Sequence, residues 1–147
     1  MSKYMMHCII LALIYFAFSQ FSLFFSFEDN NTSPVWLPTG LAISWLYLFG
    51  FKYWPALFIG ALSSNIFNFS IKLTLPDLRF WLASTGVAIG SLGEAITAAW
   101  LIKRYAELAN PFSNFKSVFL FCAILCFSCL ISASIGTYSL IINGITP

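Results

Sequence analysis

Five apolar runs divide the chain: about Met5 to Phe27, Pro34 to Phe49, Trp54 to Phe69, Phe80 to Ile102 and Val118 to Ile142. Each is bounded by polar or helix-breaking residues. Glu28-Asp29-Asn30-Asn31 closes the first, Gly50 closes the second, Pro76-Asp77 introduces the fourth, and Asn110-Pro111 breaks the chain before the fifth. Ser33-Pro34 and Tyr53-Trp54-Pro55 set a proline near the first helical turn, where its missing N–H costs nothing. The runs do not alternate in polarity, so a closed barrel is excluded, and segments of this length in hydrocarbon must be helices. The second and third runs are short and joined only by Phe51-Lys52-Tyr53, which predicts an antiparallel hairpin of neighbouring helices. Such short spans are accommodated by local bilayer thinning or by lining a cavity within a bundle.

Composition turns this pattern into a membrane protein. Hydrophobic residues make up 60% of the 147 and charged residues 8%, with a mean hydropathy of +0.87. Soluble domains run at roughly 45–50% and about 25%, so water cannot be the solvent of this chain. The expected fold is all-α: a polytopic transmembrane bundle of about five spans forming one integral membrane domain over 1–147. Lys3 precedes the first run as in a signal peptide, but the run reaches Phe27 without a small-x-small cleavage site. It therefore reads as an uncleaved first helix. With the N-terminus inside, Lys3, Lys52, Lys103, Arg104 and Lys116 face the cytoplasm, whereas Lys72 and Arg79 lie outside. That is the orientation the positive-inside rule selects. Trp36, Trp54, Trp81 and Trp100 fall near predicted helix ends, where indoles favour the interface. A net charge of +2 with scattered cations gives no nucleic-acid partner.

Candidate chemistry is sparse. Glu94 is the one ionisable residue well inside a predicted span, and such a carboxylate normally faces the bundle interior. It suits binding a cation, relaying a proton or bonding a polar ligand. It equally suits tying helices together through Asn65 or Ser91. Gly86 and Gly90 form a GxxxG pair with Gly93 beside them, and Ser132 with Gly136 repeats the small-xxx-small device on the last helix, as does Gly60 with Ser64 on the third. These read as helix-packing positions. Cys122, Cys126 and Cys129 have the C-x3-C-x2-C spacing of a cluster site, but they sit in an apolar helix with no charge to stabilise thiolates. Neither they nor His7 reads as a metal ligand, and no cofactor is expected. Ser-His-Asp sets, paired carboxylates and HExxH are absent from the sequence, which leaves soluble-enzyme chemistry no foothold.

The stretch Ser33-Pro34-Val35-Trp36-Leu37-Pro38-Thr39-Gly40-Leu41-Ala42, followed by Leu48-Phe49-Gly50 and Tyr53-Trp54-Pro55, resembles the opening of the MASE1 family of membrane-associated sensor domains in bacterial signalling proteins. Gly60-Ala61 and Asn65 follow in order. Gly90-Ser91-Leu92-Gly93-Glu94-Ala95 resembles the family's G-N-x-x-E-A segment, with Ser91 in place of Asn. Lys103-Arg104, Asn110-Pro111-Phe112, Val118-Phe119 and Ile131 through Leu140 continue the match. The resemblance implies an input domain of the bacterial inner membrane, normally fused to a histidine kinase or a cyclic-di-GMP enzyme. The 147 residues hold fewer spans than that domain and no effector. A stand-alone product would thus signal in trans or be a truncated remnant, and its exposed helix faces would need a partner or a second copy.

These readings converge on a non-catalytic sensory module whose ligand or coupling site lies near Glu94, with Trp36, Pro38, Gly40 and Asn65 lining the same interior. A small-solute transport or substrate-binding membrane subunit is the alternative, since short helices, an intramembrane Glu and glycine-rich packing fit it as well.

Overall fold

The computed structural model describes residues 3–25, 36–72, 78–106 and 115–144. Within them the chain is all-α: α1 (Lys3–Phe24), α2 (Leu37–Phe49), α3 (Trp54–Lys72), α4 (Leu78–Leu101) and α5 (Phe115–Ile142). A single 3-10 turn, Phe51–Tyr53, links α2 to α3, and α4 ends in a π turn over Ile102–Ala106. The expected hairpin of neighbouring helices does not form: α2 and α3 barely touch, because each packs instead on α1 and α4, and only a short turn joins them. Gly50 makes it, taking a φ of +92° while its N–H bonds the Leu46 carbonyl at 3.1 Å. An L side chain rarely adopts that conformation.

Among the described residues, three helices are long and apolar enough to cross a membrane: Lys3–Phe24, Leu78–Tyr105 and Phe115–Ile142. At 13 residues α2 extends only about 20 Å, short of the ~30 Å hydrocarbon layer. Ser63, Ser64, Asn65, Asn68 and Ser70 make α3 more polar than its length alone suggests. Pro55 occupies the first turn of α3 as expected, whereas Pro34, Asp77 and Asn110-Pro111 lie outside the described residues. In α2 the first-turn proline is Pro38.

α4 is the central element, packed against α2, α3 and α5, while α1 packs on α2 and α3. Hydrocarbon gives apolar helices no reason to associate, so close van der Waals contact between small residues must hold them. α4 supplies them: Ala83, Ala88, Gly90, Ala95, Ala98 and Ala99 are all buried. A methyl at Gly86 would fall on the Ser139 side chain, and one at Gly90 would stand 3.2 Å from the Ser132 carbonyl oxygen. The Gly86–Gly90 seam therefore meets Ser132, Ile135 and Ser139 on α5. Gly93 is less crowded, 3.8 Å from Ile131, and Gly136 and Gly40 would meet nothing within 4 Å. Gly60 sets the α1–α3 crossing, where an added methyl would be 3.0 Å from Tyr15 Cβ and 3.1 Å from the Ala12 carbonyl oxygen.

Charge is sorted between the two ends of the bundle. The Tyr4 hydroxyl donates to the Lys52 carbonyl at 2.8 Å, which brings the start of α1 to the α2–α3 turn. Lys103 lies 5.8 Å from the Tyr47 ring and 5.2 Å from the Phe51 ring, fixing the π turn to the same end. α5 starts beside that turn, so Lys3, Lys52, Lys103, Arg104 and Lys116 gather at one end. Arg79 lies at the other, with a guanidinium nitrogen 3.9 Å from the place a Gly144 side chain would take.

Candidate functional site

Glu94 is 5% exposed, in the second half of α4. Gly90 and Gly93, the small residues before it, let α5 come close enough for Cys129 Sγ to donate to Glu94 Oε1 at 3.1 Å. Cys129 itself is an exposed residue, so the pair lies where the bundle interior meets its surroundings.

From the opposite side α1 contributes Tyr15, 3% exposed. Its hydroxyl lies in the neighbourhood of Ser91, one turn before Glu94, and of Trp36 and Glu94. Ser91 also donates to the Val87 carbonyl of its own helix at 3.2 Å. Three helices and the entry to a fourth thus converge: α1 through Tyr15, α4 through Ser91 and Glu94, α5 through Cys129, and α2 through Trp36. The arrangement holds one carboxyl group, two hydroxyls, a thiol and an indole. It can exchange a proton or bind a ligand that donates hydrogen bonds, and a rotation of α4 would break several of its contacts at once.

Trp36 is held there by an unusual helix start. It precedes α2 with no side-chain cap of its own, and its carbonyl accepts from Thr39 N at 3.3 Å. The Leu37 N–H donates instead to Ser22 Oγ on α1, at 3.0 Å. Pro38, next in line, has no N–H to satisfy and is buried. The first turn of α2 is therefore capped from another helix.

Asn65 belongs to a second polar cluster. Its Nδ2 donates to the Ser84 carbonyl at 3.2 Å, ten residues and about 15 Å along α4 from Glu94. Around it Ser19 and Ser64 share a short hydroxyl–hydroxyl hydrogen bond, Asn68 Nδ2 reaches Ser64 Oγ at 3.2 Å, and Gln20 Nε2 reaches it at 3.5 Å. Ser19, Ser22, Ser64 and Ser84 are all buried, and these bonds join α1, α3 and α4. Of the residues singled out in the sequence, Trp36 thus comes to the Glu94 centre, Pro38 and Gly40 stand in the adjoining first turn, and Asn65 lies in the other cluster.

Tyr15 and Ser22 are not singled out by the sequence, and Cys129 figures there only in the C-x3-C-x2-C spacing, not as a partner of Glu94. Tyr15 carries a hydroxyl into the middle of an apolar run, a signal visible in the sequence. Cys129 reads only as a small hydrophobe until α5 is docked. Trp45 is a further case: its indole N–H is buried without a partner among the described residues, and its ring stacks 4.6 Å from Phe49. Among the described residues, no three His, Cys, Asp or Glu side chains cluster as a metal site would need.

The family model described as MASE1 matches residues 5–147. "Probable diguanylate cyclase DgcE" of Escherichia coli (strain K12) is 28% identical over 110 residues, which are 75% of this chain and 10% of that protein. The chain thus spans about a tenth of the length of the curated relative it matches. No solved structure matches it.

Proposed function

The chain belongs to the MASE1 family of membrane-associated sensor domains, and from that premise we propose that it is a non-catalytic sensory input module of bacterial signal transduction. It resides in the inner membrane as a multi-pass bundle of about five spans, N-terminus inside. Its sensing or coupling centre is the Glu94 site, with Trp36, Pro38 and Gly40 as its α2 wall and Asn65 as part of the polar support beneath. Its state passes to a histidine kinase or a cyclic-di-GMP enzyme, in trans or within a longer chain.

The observation that carries this reading is the family match over 5–147 together with a buried carboxyl group at the meeting of four elements. An intramembrane carboxylate costs at least about 2.5 kcal/mol on insertion scales and persists where it serves the interior. A partner of cyclase type is favoured by the similarity to the probable diguanylate cyclase.

The test is cross-linking in native membranes, followed by purification in mild detergent and identification of what accompanies the protein. Recovery of a kinase or a cyclic-di-GMP enzyme, with output that Glu94→Gln alters without loss of insertion, is the expected result. Recovery of an ATPase or transport subunit, with solute uptake that depends on this protein, would replace the reading by the transport alternative. Normal output from the Glu94→Gln variant would remove Glu94 from the sensing centre.

A further inference from the structure

A lateral groove of about 640 Å³ runs between α1 and α3 on the outside of the bundle. It exists because its floor residues are small: Ala12, Pro55, Ala56 and Ser63 leave a channel that Ile59 and Phe16 flank. The helices touch at Gly60 and Tyr15, so the groove follows their crossing rather than opening into the interior. From Tyr4 to Phe16 it extends about 18 Å along α1, close to the ~15 Å thickness of one hydrocarbon leaflet.

The Tyr4 end of this groove adjoins the positively charged end of the bundle. Tyr4 lines the groove and donates to the Lys52 carbonyl, and the Tyr4 and Tyr53 rings are 5.4 Å apart. The Lys52 ammonium stands 5.2 Å from the Tyr53 ring, and Lys3 is the residue before Tyr4. Glu94 is the one carboxylate among the described residues, and it is in the bundle interior. The Lys52 ammonium thus lies near the Tyr4 end of an apolar channel of one-leaflet length, through the neighbouring Tyr53 ring, and exposed Lys3 adjoins Tyr4 in the chain, with no described carboxylate at that end.

We propose that the α1–α3 groove is a binding site for an anionic glycerophospholipid, one acyl chain lying in the channel and the phosphate against Lys52 and Lys3. Charge complementarity selects the anionic headgroup, and the small floor residues admit a chain that ordinary helix packing would exclude. The Tyr4 end, anchored to the α2–α3 turn, is where such a lipid would brace α1 against that turn.

The experiment is native mass spectrometry of the full chain released from nanodiscs of equal phosphatidylglycerol and phosphatidylcholine. Wild type is expected to retain phosphatidylglycerol preferentially, and Lys52→Gln to lower that preference about five-fold, the effect of one cation near a charged headgroup. Ala12→Leu, which narrows the channel with an apolar side chain, is expected to lower retention of both lipids. Lys103→Gln removes a cation at the same end, away from the groove, and is expected to leave the preference unchanged. Equal retention of the two lipids by wild type overturns the proposal. So does an equal loss in Lys103→Gln, which marks general attraction to the surface. Cross-linking of Leu13→Cys chains into a dimer that excludes lipid assigns the groove to a second copy instead.

Discussion

The Cys129 thiol on α5 donates a hydrogen bond to the Glu94 carboxyl group on α4, with sulfur and oxygen 3.1 Å apart. This bond joins the helix with the most neighbours to one packed chiefly on that helix alone. Side-chain hydrogen bonds between membrane helices average about 0.6 kcal/mol and reach about 1.7 kcal/mol. Cys129→Ala leaves the buried oxygen without this donor and is expected to cost about 0.5–1.5 kcal/mol. Cys129→Ser keeps a donor and is expected to stay within ~0.5 kcal/mol of wild type. Reversible unfolding in mixed micelles reads both. Equal stability of all three proteins would show that the bond contributes nothing.

The α4–α5 seam is asymmetric, and single methyl groups report it. Gly86→Ala drives a carbon into Ser139 and must displace α5, an overpacking expected to cost about 1–3 kcal/mol. Gly136→Ala meets open space and gains helix propensity, so it is expected to be neutral or stabilising by up to about 1 kcal/mol. The paired measurement is thermal unfolding in one detergent. A larger loss in Gly136→Ala than in Gly86→Ala would contradict the seam.

Gly50 is the other glycine with a stated demand. Its φ of +92° with ψ of 162° is a region that essentially only glycine occupies, so Gly50→Ala is expected to cost about 1–3 kcal/mol. Gly40→Ala, in the first turn of α2 with nothing within 4 Å, serves as the tolerated control. Unfolding midpoints measured side by side check the contrast. Indifference at Gly50 would mean that the turn relaxes to another conformation.

The helical elements were legible because length, continuous apolarity and turn residues all pointed one way. The short turn at Lys52 and the proline of α3 follow from adjacent residues, but not that α2 and α3 each pack on α1 and α4 rather than on one another. The Gly86–Gly90 pair was legible as a packing device, but not its partner atoms: which α5 residue faces each glycine depends on the rotation of a helix that is apolar all round. For the same reason Cys129 could not be told from Cys122 or Cys126 as the partner of Glu94. Asn65 groups with Glu94 in the sequence through the buried carboxylate and the family-like positions. Their separation along α4 emerges only from which turn of α3 crosses which turn of α4. The start of α2 is the clearest limit. Local rules look for a cap at the residue before the helix, and Trp36 offers none, because the acceptor comes from Ser22, fifteen positions away.

That remote cap yields the last prediction. Ser22 is buried, and its oxygen is the side-chain acceptor for the Leu37 N–H, while Pro38 has no N–H and Thr39 bonds back to Trp36. Removing a capping hydroxyl costs about 0.5–2 kcal/mol, and in a bundle interior no water replaces it. Ser22→Ala is therefore expected to fray the first turn of α2. Hydrogen exchange at Leu37 should accelerate, and Trp36 should lose its position beside Tyr15, loosening the approach to Glu94 without touching that residue. Ser84→Ala is the matched control: its hydroxyl bonds the Phe80 carbonyl within its own helix, where the carbonyl already has a backbone partner. That variant is expected to remain within ~0.5 kcal/mol of wild type and to leave exchange at Leu37 unchanged. Faster exchange in both variants would point to a general loosening of the bundle. Faster exchange in Ser22→Ala alone would mean that α1 holds the entry of α2 through a single hydroxyl group.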